Sequence, residues 1–322
     1  MIVTRPRSCH RNVLPFPIEI ALSSSPAAQT PASVAALAVP ALVLGAMAMG
    51  VSPIFVRLAD VGPFASAFWR VGGAVPILFA WAALEARRSG TPLASIWKID
   101  GAILAAGALF VGDLLFWHLA ILKTSVANAT FLATMAPVWV VLGSGFFIGE
   151  RVGRSVLAGL ALCLLGATFL IGLSWKMRPE HLDGDLYGIC TSFFFGGYFL
   201  AVRAARRRSS AGKITFLSTL ITAAALWVVA MVVEPRILPS TVDSAASLAG
   251  LAFISHAGGQ GLLAFALGHL PAAFSALVIF LEAVAAAVAG WLFLGEAVSL
   301  PQMLGGALIL AGIFIARPQR RG

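Results

Sequence analysis

The chain has 322 residues, of which 60% are hydrophobic and only 11% charged, with a formal net charge of +9. A soluble domain carries about 25% charged residues, so this composition excludes a protein that presents its whole surface to water. The positive balance does not point to nucleic acid, because the basic residues sit at the ends of apolar runs and form no patch interleaved with aromatic rings.

In chain order, residues 1–33 contain Arg5, Arg7, Arg11 and the stretch SSSPAAQTPAS, without an unbroken apolar core of signal-peptide length. They are expected to form a flexible cytoplasmic tail. A membrane span needs about 18 or more apolar residues. Apolar runs broken by charge, Pro or Gly give ten such spans, at about 35–56, 62–84, 101–122, 125–148 and 153–174, then 185–204, 214–233, 247–268, 271–294 and 299–316. Residues 317–322 are a basic tail on the cytoplasmic side.

The pentapeptide FFIGE ends at Glu150 and a near copy, LFLGE, ends at Glu296. At that offset of 146 residues, Gly50 meets Gly196, Arg57 meets Arg203, Gly159 meets Gly305 and Gly166 meets Gly312, without a gap. Ala and Leu matches are cheap in such a composition, but paired Glu and paired Arg are not, since ionised residues are costly near a bilayer. The chain therefore reads as a duplication, residues 34–174 and residues 185–316. Five spans per half is an odd number, so the second half enters the membrane from the opposite side. The predicted fold class is an all-α membrane protein of ten transmembrane helices built as a 5+5 inverted-topology repeat.

Lys and Arg in short loops prefer the cytoplasm. With both termini inside, sixteen of the 22 Lys and Arg fall on cytoplasmic flanks and five on the opposite side, Arg70 being within a span. A multi-pass protein of the inner membrane with both termini cytoplasmic is expected. Cys9, Cys163 and Cys190 show no CxxC or metal-ligand spacing and are expected to be reduced, inert thiols.

Span two carries FWR, eleven residues separate Pro137 from Gly149–Glu150, and the second half carries FLEAVAAAVAGWLFLGE. With the ten spans and the inverted repeat, these residues resemble the EamA group of the drug/metabolite transporter superfamily. The resemblance covers nearly everything after residue 33. It implies an inner-membrane permease of a small organic metabolite such as an amino acid or amine, working as an exporter, while related transporters move sugar nucleotides or phosphates. Where the family pattern has Glu-Pro-Val, Ala283 replaces the proline, so a proline-induced break is expected at Pro137 in span four only. Inverted repeats imply alternating access, in which the halves exchange shapes around a midplane cavity.

An ion at the bilayer centre costs about 2.5–3.5 kcal/mol on insertion scales, and three ionisable side chains stand that deep: Arg70, Asp113 and Glu282. Arg70 either binds a substrate carboxylate or phosphate, or makes a structural bond to helix-end carbonyls or an acid. Asp113 either binds a substrate ammonium or coupling proton, or pairs with Arg70 or His118. Glu282 either lines the pathway, as the resemblance implies for span nine, or bonds backbone of the facing SHAGGQG stretch, which offers His256, Gln260 and the helix-loosening Gly258, Gly259 and Gly261. In spans three, four and six, which line the cavity in the family, Trp117, His118, Asn128, Thr134 and Tyr198 are further substrate-binding candidates.

Glu150 and Glu296 are assigned to span ends, Arg151 and Arg154 being the expected partners of the first. The acidic stretch EHLDGD at 180–185 suits the positive start of span six rather than a metal site, and neither metal nor cofactor is expected. No nucleophile stands with a base and no phosphate-cradling glycine loop occurs, which argues against a membrane enzyme and against ATP hydrolysis by this chain. A scaffold without transport is the other alternative, in which midplane acids would be liabilities without use. The expected partners are a small-molecule substrate and the lipid bilayer, with no nucleic acid; a homodimer is admitted.

Overall fold

The computed structural model describes residues 36–124, 126–171, 182–294 and 299–318. Every regular element among them is helical. Eight helical stretches are long and apolar enough to cross a membrane. They are α1 (Ala38–Leu58), α2 (Pro63–Arg88), α3 (Gly101–Lys123), α4 (Val126–Ala133 with Ala136–Ile148), α6 (Leu182–Ala205), α7 (Ala211–Val233), α8 (Val242–Ala266) and α9 (Ala272–Val278 with Leu281–Leu294). Two shorter apolar helices, α5 (Arg154–Phe169) and α10 (Leu300–Ala316), complete the bundle. The predicted N-terminal tail, Glu296 and the last four residues lie outside the described residues.

The helix ends gather in two sets. At one end Glu85, late in α2, accepts the Gly212 backbone N–H at the start of α7 at 2.8 Å. At the other end Glu234, just past α7, accepts the Phe64 N–H at the start of α2 at 2.9 Å. Each helix thus has its unsatisfied first-turn donors and positive dipole end met by a carboxylate from the far end of the other, which fixes the two antiparallel. Beside the second of these contacts, Asp60 in the α1–α2 turn accepts from the Ser240 N–H at 3.0 Å, and Arg236 donates to the Asp60 carbonyl at 2.5 Å. The hydrogen bonds from Ser240 and Ser244 hold the Asp60 carboxyl down at about 2.

α5 and α10 pack through glycines. A methyl group at Gly159 would sit 2.5 Å from the carbonyl oxygen of Gly312, and one at Gly166 would sit 2.6 Å from that of Gly305. Between them the Cys163 thiol donates to the Ile309 carbonyl at 3.6 Å. As residue numbers rise along α5 their partners fall along α10, so the helices run antiparallel. At the offset of 146 these contacts map onto themselves: Gly159 and Gly166 exchange with Gly305 and Gly312, and Cys163 with Ile309. Such self-complementary contacts are those of a twofold axis, here within one chain. Small residues are what allow two backbones to approach this closely in lipid.

The same relation holds elsewhere. Gly50 of α1 lies against the Glu282 carbonyl and Ala285 of α9, and Gly196 of α6 against the Ala136 carbonyl and Trp139 of α4, which are the same positions 146 residues earlier.

The GE pair at the end of α4 has a local physical meaning. Gly149 is left-handed (φ 66°), a conformation that costs glycine nothing, and the Glu150 N–H returns to the Ser144 carbonyl at 3.0 Å. This terminates the helix and turns the glutamate back toward the bundle. The expected partners Arg151 and Arg154 are corrected by the structure: Glu150 binds Arg203, from Nε to Oε1 at 2.6 Å, and accepts the Ala272 N–H on its other oxygen at 2.9 Å.

Candidate functional site

Three helices are interrupted at mid-depth. In α1, Pro53 has no N–H to give Met49, and the Ser52 hydroxyl donates to that carbonyl instead at 2.6 Å. In α4 the break at Thr134–Met135 precedes Pro137, and the Thr134 hydroxyl donates to the Phe131 carbonyl at 2.7 Å. In α9 the chain breaks at Ile279–Phe280, one residue before the place equivalent to the α4 break, although Ala283 stands where Pro137 stands in the first half. The expected proline-associated break is the one in α4; the α9 interruption forms without a proline. Four tight i→i+3 bonds, among them Ile279 N–H to Ala276 O at 3.1 Å and Glu282 N–H to Ile279 O at 2.8 Å, carry the chain through the interruption without proline.

These interruptions surround a cavity of about 100 Å³, lined by residues of α1, α2, α3, α4, α6, α8 and α9. It lies between mid-depth and the bundle end that carries Leu58, Pro63, Lys123 and Leu182. Arg70, Asp113 and Glu282 all line it, together with Trp117, Thr134 and Gln260. No ion pair within 4.0 Å joins Arg70 to either carboxyl group among the described residues, the ion pairs found there being Arg203–Glu150 and Arg236–Asp60. The Arg70 Nε, one Glu282 oxygen and both polar atoms of the Gln260 amide are buried without a hydrogen-bond partner. A buried polar atom left unpaired costs about 1–3 kcal/mol, so three neighbouring residues in that state mark a surface shaped for polar groups that the protein itself does not supply. Among the described residues no hydrogen bond to a helix-end carbonyl and no acid within 4.0 Å holds Arg70.

Asp113 is 8% exposed and shares the cavity wall with Thr191 of α6. In the other half the equivalent pair is Gly259 and Gly45, where a methyl at Gly45 would meet the Gly259 carbonyl at 3.0 Å. The crossing that two glycines seal in one half carries a carboxyl and a hydroxyl in the other.

Other candidates lie apart from this wall. His118 is 2% exposed and bonds through Nδ1 to the Leu114 carbonyl of its own helix at 2.6 Å, so it is not the partner of Asp113. Tyr198 is also 2% exposed, with its ring 4.7 Å from Phe110, and does not line the cavity. Asn128 stands in the first segment of α4, and its side chain lies outside those described. Pro137 is buried beneath the α4 break.

The SHAGGQG stretch is wound more widely rather than loosened: Leu251–Gln260 is a π-helix. Its buried positions recur in pairs four apart, at 251/252, 255/256 and 259/260, which puts Ser255, His256 and Gln260 on one face. Ser255 bonds the hydroxyl of Ser52, and His256 Nε2 meets the Thr219 hydroxyl at 2.8 Å. Only Gln260 of this face reaches the cavity. Gly259 packs on Met49 and Gly261 on Trp81, while Gly258 meets only the Phe253 carbonyl of its own helix. Ser52, Pro53, Thr191 and Phe195, which also line the cavity, escaped the sequence reading; the repeat aligns Thr191 with Gly45 and Asp113 with Gly259, which gives no sign that the two share a wall.

The sequence profile of the EamA-like transporter family matches the chain twice, over residues 36–172 and 182–317. An uncharacterized transporter of Archaeoglobus fulgidus is 29% identical over 197 residues, 61% of this chain and 69% of that protein. The pseudopaline exporter CntI of Pseudomonas aeruginosa is 26% identical over 251 residues, 76% of this chain and 82% of that protein. A solved crystal structure superimposes with a TM-score of 0.72 at 20% identity, covering 88% of this chain and 96% of that one, a likeness of fold.

Proposed function

The chain belongs to the EamA-like transporter family of multi-pass membrane proteins, and from that premise we propose that it carries a small organic solute bearing an ammonium group, such as an amino acid or amine, across the inner membrane. The observation that carries this reading is the cavity wall on which two carboxyl groups, Asp113 and Glu282, face a single guanidinium, Arg70, with the unpaired Gln260 amide between helices. One cation and two acids suit a solute with at least one positive group and room for one negative group. A polyphosphate would call for several facing Lys or Arg.

The cycle we propose is alternating access between two inverted five-helix halves, with all ten helices spanning and both termini in the cytoplasm. The antiparallel, self-complementary seam of α5 and α10 supports that arrangement, as do the sixteen basic residues on the cytoplasmic flanks. Export is favoured by the likeness to the pseudopaline exporter of Pseudomonas aeruginosa. No catalytic step is involved: the site residues bind, orient and release.

The test is purified protein reconstituted into vesicles and screened with labelled amino acids, amines, sugars and phosphates under an imposed pH gradient. Accumulation or counterflow of an amino acid or amine, reduced at least tenfold in Glu282→Gln, is the expected result. Flux of sugars or phosphates alone, or of no class at all, would refute it.

A further inference from the structure

The bundle end opposite the cavity is fastened by two side chains. Glu150 stands at the tip of the α4 segment Ala136–Ile148, whose other end is the break at Thr134–Met135 on the cavity wall. Ala272 stands at the tip of the α9 segment Ala272–Val278, whose other end is the break at Ile279–Phe280, again on the cavity wall. The two segments pack against each other, and every residue of Ala272–Val278 is buried. Each is therefore a short rod with an interruption at mid-depth and its tip at the far end.

The Glu150 carboxylate ties the tips together by accepting the Ala272 N–H at 2.9 Å. Arg203, in the last turn of α6, clamps the knot: its Nε donates to Glu150 at 2.6 Å and its Nη1 to the Leu267 carbonyl, just past α8, at 2.6 Å. Arg207 donates to the Ile148 carbonyl beside it. The end of α4 in the first half is thereby joined to α6, α8 and α9 of the second. The Arg203 and Glu150 side chains are 21% and 17% exposed, so solvent weakens the pair less than it would a surface pair.

We propose that the Glu150–Arg203 pair is a latch: it closes the pathway at this end by holding the two rods tip to tip, and it must open once in each transport cycle. With the latch released, the rods swing about their mid-depth breaks and the cavity gains an exit toward Glu150. The inference rests on the transport reading, and it gives Glu150 and Arg203 a part in the cycle although neither touches the cavity. The sequence carries the same Arg and Glu a second time at the repeat offset, as Arg57 and Glu296, which is what a pathway with two ends to close requires.

The experiment places a reporter thiol in the cavity wall, Thr134→Cys, in the full chain with Cys9, Cys163 and Cys190 replaced by alanine. A membrane-impermeant maleimide is added from either face of oriented vesicles. The parent is labelled from the face opposite Glu150. In Glu150→Gln, labelling from the Glu150 face should rise about tenfold, equivalent to about 1.4 kcal/mol, and labelling from the opposite face should fall. Arg203→Lys keeps the charge but loses the fork that reaches Glu150 and Leu267 together, so a smaller shift in the same direction is expected; where Glu150→Gln does not accumulate, the labelling of Arg203→Lys decides the question. An unchanged labelling ratio in these variants overturns the latch, and so does loss of both from the membrane, because a gate must be dispensable for folding. A labelling shift without flux of any solute would refute the transport reading and keep the latch, whereas flux without a shift would do the reverse.

Discussion

Replacing Gly166 with alanine tests whether the α5–α10 seam is as close as the structure has it. The added methyl would lie 2.6 Å from the Gly305 carbonyl oxygen and 2.9 Å from the Ile309 backbone nitrogen, where ordinary contact begins near 3.4 Å. Both obstacles are atoms of α10 backbone, which has no rotamer to yield, so α10 must retreat by about 0.8 Å at that level. Overpacking of this kind costs about 1–3 kcal/mol, and the better helix propensity of alanine returns up to about 1 kcal/mol. The net lies between about 0 and 3 kcal/mol, and its middle, about 1–2 kcal/mol, is a drop of about 2–6 °C in unfolding midpoint for a chain of this size. Thermal unfolding in detergent followed by tryptophan fluorescence measures it. Gly159→Ala meets the Gly312 carbonyl at 2.5 Å and should behave alike. The two sites are about 10 Å apart along the helix, yet one outward displacement of α10 relieves both, so the double variant should lose less than the two losses added. Gly306→Ala is the control, with nothing nearer than 4.0 Å, and should match or slightly exceed the parent. If Gly166→Ala is as stable as Gly306→Ala, or the two clashing variants add fully, the close seam is wrong.

Further outcomes follow from the cavity and its surroundings. Asp113→Asn should abolish or uncouple transport while membrane insertion stays intact; normal flux with normal pH dependence removes the residue from the mechanism. Gln260→Leu breaks no hydrogen bond within the protein, so the midpoint should hold or rise while the KM for the solute increases about tenfold or more; a clear loss of stability would show that the amide is satisfied internally. Ser52→Ala strips the Met49 carbonyl of its donor and should cost about 1–2 kcal/mol by the same unfolding assay. Because Asp60 is held at about 2 in the folded protein and carboxylates of this type sit near 3.9 when unfolded, its contribution is fully present above about pH 4 and fades as pH falls toward 2. Fluorescence of Trp69, whose indole N–H bonds the Ile237 carbonyl at 2.8 Å in the adjoining loop, should change over that window in the parent and not in Asp60→Asn.

The span pattern and the duplication were legible because both are written in what lipid forbids: apolar runs are long, and ions are few enough that a repeated Glu and Arg stand out. Knowing the offset, one could have paired Gly50 with Gly196 and asked what each packs against. The structure's answer, the carbonyls of Glu282 and Ala136, is one position read twice. Three features were not legible. The partner of Glu150 lies 53 residues away on another helix, and nearness in sequence favoured Arg151 wrongly, because Gly149 turns the carboxylate back into the bundle. The α9 break has no proline to announce it; i→i+3 bonds carry the chain through it beside the Gly50 contact. The π-winding of Leu251–Gln260 leaves only a cluster of glycines as its sign, and glycines alone suggest looseness, whereas the widened turn aligns Ser255, His256 and Gln260.

The contact between Cys163 and Ile309 joins a position to its own duplicate. If the halves trade conformations, most neighbour pairs are exchanged for their counterparts, but this one, like the ring contact of Phe110 with His256, is exchanged for itself. A change made alike at both partners of such a pair raises or lowers the energy of the two end states together and leaves their ratio alone, whereas a change off that axis tips the balance. The molecule therefore contains spots at which robustness can be altered without touching the preference for either face of the membrane, and a bias seen from Cys163→Ala combined with Ile309→Ala would mean that the two halves do not interchange as equals.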